Sequence, residues 1–193
     1  HTYKGWKMPV EIMTSNIHER ASERCAEALL KIEKIKKFKY QIVVMIQGDE
    51  PMINSKMISQ SLKPFYKNKS INVVNLLGKI ESKKEYIDKN CIKVVVNKES
   101  KAVFFSRYPI PYYGSYNSNC VGKQICVIPF KRNFLIKYNK MKISPLEKLE
   151  SIDMLRIIEN GYNVQMIKTK YKSYSVDTKQ DLIKVSKKLS VKS

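Results

Sequence analysis

The stretch that most constrains this chain is Ile42-Val43-Val44-Met45-Ile46 followed by Gln47-Gly48-Asp49-Glu50-Pro51. A short β-rich apolar run stopped by Gly, two carboxylates and Pro predicts a buried, central strand ending in a sharp turn. Ligands of open α/β sheets collect outside the carboxyl ends of the strands, and Asp49 is delivered there. Taken alone, Asp49 is either the residue of an Asx-type turn or a metal ligand.

The chain around this stretch alternates between two periods. A helical pattern starts at Ser22 and turns Cys25, Leu29, Ile32 and Ile35 to one side. Ser55 predicts the N-cap of a helix carrying Ile58, Leu62 and Phe65, which Pro64 should kink or end. Asn72 to Leu77 reads as a strand, and Ser82 to Lys89 as a helical turn or loop. Cys91 to Asn97 and Ala102 to Phe105 predict a hairpin, and the Tyr-, Ser-, Asn- and Gly-rich run Tyr112 to Cys120 a surface loop. Lys123 to Ile128 is a further strand, and Asn133 to Lys140 a short helix. Pro145 opens a helix with Leu146, Leu149, Ile152, Leu155 and Ile158 on one face, closed by Asn160-Gly161. Val164 to Ile167 is the last strand, and the final helix points Leu182 and Val185 inward. Before that helix, Asp177 in Val176-Asp177-Thr178 is an N-cap or a second metal carboxylate. Strands alternating with helices, with no repeat, linker or low-complexity tract, predict one α/β domain over residues 1–193 with a hairpin insertion in its second half.

Composition excludes several classes. No apolar run approaches the ~20 residues of a membrane span, and no h-region follows His1 to Lys7. The four cysteines show no paired spacing, which argues against structural zinc and for reduced thiols in a cytoplasm, Cys25 and Cys91 buried. A net charge of +20 raises nucleic acid as a partner. The excess is mostly Lys spread over the whole chain, and Lys is a solvated point charge rather than a base reader, so no nucleic-acid partner is expected. A basic surface also attracts anionic nucleotides and sugar acids.

The order of short words along the chain adds a resemblance. Met13-Thr14-Ser15-x-x-His18, Glu23-Arg24, Gln-Gly-Asp-Glu-Pro, Lys93-Val94-Val95-Val96 and Phe105-Ser106-Arg107-x-Pro109-Ile110-Pro111 come first. Ser144-Pro145-Leu146-Glu147, Leu155-Arg156 and Val176-Asp177-Thr178-x-x-Asp181-Leu182 follow. The series, from about Val10 to Val185, resembles the cytidylyltransferases that activate 3-deoxy-manno-octulosonate (Kdo) as its CMP derivative. The resemblance implies a three-layer, Rossmann-like nucleotidyltransferase fold with a mixed sheet and a sub-lobe in the second half. It implies transfer of CMP from CTP to the anomeric hydroxyl of a 3-deoxy-2-keto sugar acid, with release of pyrophosphate. It also implies Mg²⁺, a cytoplasmic homodimer and a place in lipopolysaccharide or capsule synthesis.

Roles carry over by position. Asp49 and Asp177 match the family's metal-binding aspartates, and Mg²⁺ suits one or two carboxylates with phosphate oxygens and waters. Gln47 matches a residue near the reacting hydroxyl. Arg107 matches the arginine that meets the sugar carboxylate; its plainer reading is a surface ion pair. Arg24 matches an arginine of the nucleotide side or is an exposed helix cation. His18 is a matching loop histidine with a structural or a ligand role. Gln124-Ile125-Cys126-Val127-Ile128 stands where the family has H-x-G-I-Y, and Asp153-Met154 where it has a Glu-Gln pair, so Gln124 and Asp153 keep polar groups while Ile128 and Met154 do not. Such changes bear on which sugar is held, Kdo or a related octulosonic or nonulosonic acid. The family's opening strand and phosphate loop, R-x-x-S-x-R-x-x-x-K, have no counterpart after His1. The expectation is therefore a domain lacking its first βα unit, with a non-catalytic remnant of the fold as the rival.

Overall fold

A computed structural model describes residues 11–112, 119–176 and 178–190. Asp177 and most of the Tyr112 to Cys120 loop lie outside the described residues. The apolar run forms β1 (Ile42–Ile46), but not as a central buried strand. Among the described residues β1 pairs only with β6 (Val127–Lys131), antiparallel, and Met45 is its one buried residue. The central strand is β2 (Val74–Gly78), buried along its whole length. It lies between β5 (Val121–Ile125), antiparallel, and β7 (Gln165–Lys168), parallel. Burial on both faces lets a strand do without polar alternation, and that hides it from a search for period two. The predicted hairpin forms from β3 (Lys93–Val96) and β4 (Ala102–Ser106) and makes one edge of a five-stranded sheet of order β4-β3-β5-β2-β7.

The strand expected over 123–128 is longer. Strands β5 and β6 follow one another with only Cys126 between them. Strand β5 pairs with β2 at Leu76–Ile125, and β6 meets the residue before β2 at Val73–Phe130. The chain advances five residues from Ile125 to Phe130 while its partner covers three, from Leu76 to Val73, so the strand bulges around Cys126. On its other edge β1 and β3 lie end to end. Ile46 faces Val127, Lys93 faces Lys123, and the Gln124 N–H donates to the Ile92 carbonyl at 2.9 Å. The ladder therefore forks at residues 124–126.

Helices cover both faces. α1 (Ala21–Lys36), α4 (Arg132–Tyr138) and α6 (Met154–Glu159) bury Leu29, Phe134 and Leu155 against Met45, Val73, Leu77 and Phe130. α2 (Ser55–Lys67) buries Met57 against Leu76, Ile125 and Val127 on the opposite face. Short α3 (Lys83–Ile87) and α5 (Pro145–Glu150) flank the fork, and α7 (Lys179–Ser190) closes the described chain.

Several local expectations shift. Ile35 is 63 % exposed, and the inner stripe of α1 runs through Ala26, Leu29 and Glu33. Asn54, not Ser55, caps α2, its side chain accepting from the N–H groups of Lys56 and Met57. Pro64 is carried inside α2, which ends at Lys67. The single helix expected after Pro145 is two, broken at Ser151 with φ of 53°. Leu149 and Leu182 face solvent, whereas Val185 is buried.

Candidate active site

A cleft of about 750 Å³ opens at the fork. Gln124, Ile125 and Cys126 form its floor, where β1 stops and β3 has not yet begun. One wall is the turn after β1. The Glu50 N–H donates to the Gln47 carbonyl at 3.3 Å and closes the turn. The Glu50 carboxylate is buried, and accepts from the Cys126 N–H at 3.2 Å and from the Ser173 hydroxyl. The Val176 N–H donates to the Asp49 carbonyl at 2.9 Å. The acidic turn is thus pinned to the cleft floor and to the segment that leads to position 177. Gln47 and Asp49 both line the cleft, and the Asp49 carboxylate is exposed, with no hydrogen bond to another described residue. Among the described residues no three His, Cys, Asp or Glu side chains cluster to hold a metal.

Arg107 also lines the cleft. Its guanidinium donates to the carbonyls of Glu150 at 2.9 Å, Lys89 at 3.1 Å and Ser151 at 3.4 Å, and its N–H to Glu150 Oε2 at 2.9 Å. It is not held as a surface ion pair. Three backbone carbonyls fix the fork and leave two of its five N–H donors for a ligand. Beneath it, Lys93 is fully buried and donates to the carbonyls of Asp88 at 2.8 Å and Arg107. Desolvation pushes the Lys93 pKa down.

Gln124 lines the floor, its Nε2 donating to Asn75 Oδ1 at 2.8 Å, and Asn75 in turn donates to the Ile125 carbonyl at 2.7 Å. Asp153 lines the cleft at the start of α6, with the Ser22 hydroxyl donating to its Oδ2 at 3.4 Å. Withdrawal from water raises the Asp153 pKa, against the opposing field of Arg20. Ile128 also lines the cleft, whereas Met154 is fully buried.

Two expected residues are not brought to this cleft. Arg24 donates to the carbonyls of Ser15 at 2.9 Å and His18 at 3.1 Å, and to Thr14 Oγ1 at 3.4 Å. The His18 ring bonds the Glu27 carboxylate, whose pKa is held down at about 2 by Lys31 first, then by the Ser15 N–H and His18. Both residues strap the chain before α1 onto that helix. Two cleft residues had no sequence signal of their own. Glu50 reads as one more turn carboxylate, and Arg20 is a cation in a polar loop. The words Glu147 and Arg156 are structural: the two side chains form a buried bidentate pair at 2.6 Å, and the guanidinium stacks 4.8 Å from the Tyr138 ring.

A three-layer α/β domain with its cleft at a strand's carboxyl end, lined by an acidic turn and by guanidinium groups, is built as an enzyme that binds nucleotides and anionic partners. The family model for cytidylyltransferase matches residues 11–172. A 3-deoxy-manno-octulosonate cytidylyltransferase of Fusobacterium nucleatum is 37% identical over 174 residues, covering 90% of this chain and 69% of that protein. Its counterpart in Geobacter metallireducens is 33% identical, covering 92% and 72%. The solved structure of a CMP:2-keto-3-deoxy-manno-octonic acid synthetase complexed with CTP matches with a TM-score of 0.81 and 30% identity, over 94% of this chain and 73% of that one. The chain belongs to the cytidylyltransferase family, among the 3-deoxy-manno-octulosonate cytidylyltransferases.

Proposed function

We propose that this protein moves CMP from CTP to the anomeric hydroxyl of Kdo. The anomeric oxygen bonds to the α-phosphorus and loses its proton, the α–β phosphoanhydride bond breaks, and pyrophosphate leaves. The carrying observation is one cleft lined by the exposed Asp49 carboxylate, the Arg107 fork, Gln47 and Gln124. The family membership supports the same reading.

The chain's own residues do three things in this reaction. Arg107, steadied by three carbonyls and by buried Lys93, presents its remaining donors to the substrate carboxylate. Gln47 offers an amide at the strand end beside the acidic turn. Glu50 holds that turn rigid from behind. Asp49 is a hard oxygen donor, and with phosphate oxygens and waters it fits Mg²⁺. By the resemblance Asp177 is its partner. When bound, the ion spreads charge over the triphosphate and lowers the pKa of the attacking hydroxyl. The resemblance also supports a homodimer, to be measured by light scattering, and a cytoplasmic role in supplying lipopolysaccharide or capsule synthesis.

Pyrophosphate release from CTP, Kdo and Mg²⁺ tests this reading. Asp49→Asn is expected to lower kcat by about a hundredfold or more. Full activity in that variant removes the metal assignment, and no release by the parent protein removes the function.

A further inference from the structure

We infer that Arg20 is a specificity-determining residue of the cleft: with Arg107 it forms a two-guanidinium clasp around Ser151 that receives the carboxylate-bearing end of the sugar acid. The inference rests on the reading above and names a contact that reading does not contain. Arg20 stands just before α1 and lines the cleft. Its Nη1 donates to Ser151 Oγ at 3.4 Å, while the Arg107 Nη2 donates to the Ser151 carbonyl at 3.4 Å. Ser151 sits at the left-handed break between α5 and α6, so the bend itself keeps the two cations on either side of one residue.

The donors of Arg20 are barely used. That 3.4 Å contact is the one hydrogen bond of its guanidinium to a described residue. Two carboxylates lie near it: Glu147 Oε1, 3.8 Å away and already taken by Arg156 at 2.6 Å, and Asp153, which feels the Arg20 charge without a hydrogen bond to it. Glu147 is fully buried and has its close bidentate partner in Arg156, so Arg20 is a second and more distant cation to it. A planar fork with free donors beside a second such fork suits a carboxylate. Ile128 and Ile152 line the same cleft and offer no hydrogen bonds, so the Arg20 donors carry more of the recognition there. Arg24, four residues on, has spent its guanidinium on the loop before α1.

The experiment compares the parent protein with Arg20→Gln and Arg20→Lys in two assays. One is pyrophosphate release. The other is calorimetric titration of Kdo in the presence of Mg²⁺ and a CTP analogue with CH₂ between the α- and β-phosphorus, which reports binding without turnover. Arg20→Gln is expected to raise the KM and the Kd for Kdo about ten- to hundredfold, with the KM for CTP and the Tm unchanged, and Arg20→Lys to recover part of the loss. An unchanged Kdo affinity, an equal loss for CTP, or a loss that follows a fall in Tm overturns the inference. Arg20-dependent binding of Kdo without turnover in the parent protein upholds it while the catalytic reading fails. No Kdo binding by the parent protein overturns both.

Discussion

Asp153 shows how burial changes the use of a carboxylate. Its pKa is raised by desolvation, so the folded protein binds that proton more tightly than the unfolded chain does. The sign then follows. The contribution to stability is full below the unfolded pKa of about 3.9 and is lost as pH rises through the folded pKa. Asp153→Asn is expected to give a higher Tm than the parent protein at pH 7, with the difference closing as pH falls toward 4, read by thermal melts across that range. Glu27 runs the other way: held at about 2, it supports the strap before α1 above pH 4.5 and releases it as pH falls through 2. The Asp153 shift was not legible in the sequence, because it comes from burial that only the fold creates, whereas the first cause of the Glu27 shift, Lys31 one helical turn on, is local. The placement of Asp49, by contrast, was legible, since a strand end and a turn are local matters.

At the scale of elements, the order of strands and helices could be read from periodicity, and the break at Ser151 could not. No Gly or Pro marks it. The left-handed residue is met instead by Arg107 on its carbonyl, a contact that only tertiary structure creates. The same blindness promoted β1 to the centre. Its apolar run is the more obvious, yet β2, interrupted by Asn75 and ended by Gly78, is the strand buried throughout. The helices α5 and α6 are locked together by Glu147 and Arg156, each almost wholly buried. Arg156→Leu leaves Glu147 in the core with the Ser144 N–H at 3.4 Å and Arg20 at 3.8 Å but no close cation, and is expected to cost about 3–5 kcal/mol. Thermal melts should show a Tm lower by roughly 6–20 °C. Replacing both partners by Leu should recover much of the loss, because the uncompensated charge is then gone.

Over the whole molecule, the strand shared by both sheets sets the cleft, and the fork is hidden in the sequence because no Gly, Pro or other turn residue stands at Cys126 between Ile125 and Val127. Its surplus over its partner, five residues against three, has one more consequence, which concerns parity. A surplus of two leaves the in-out alternation of side chains in step across the fork. Leu76 and Ile125 share the layer under α2, while Val73 and Phe130 share the layer under α1 and α4. Removing Cys126 alone makes the surplus odd, which would turn Ile128 and Phe130 toward the wrong layer. That deletion is expected to abolish cooperative unfolding. Removing Cys126 together with Val127 restores the count to even, and near-ultraviolet circular dichroism should recover fixed packing there without recovering the cleft. The opening in which the substrates would meet is, in these terms, a pair of residues that the alternation of the sheet does not notice.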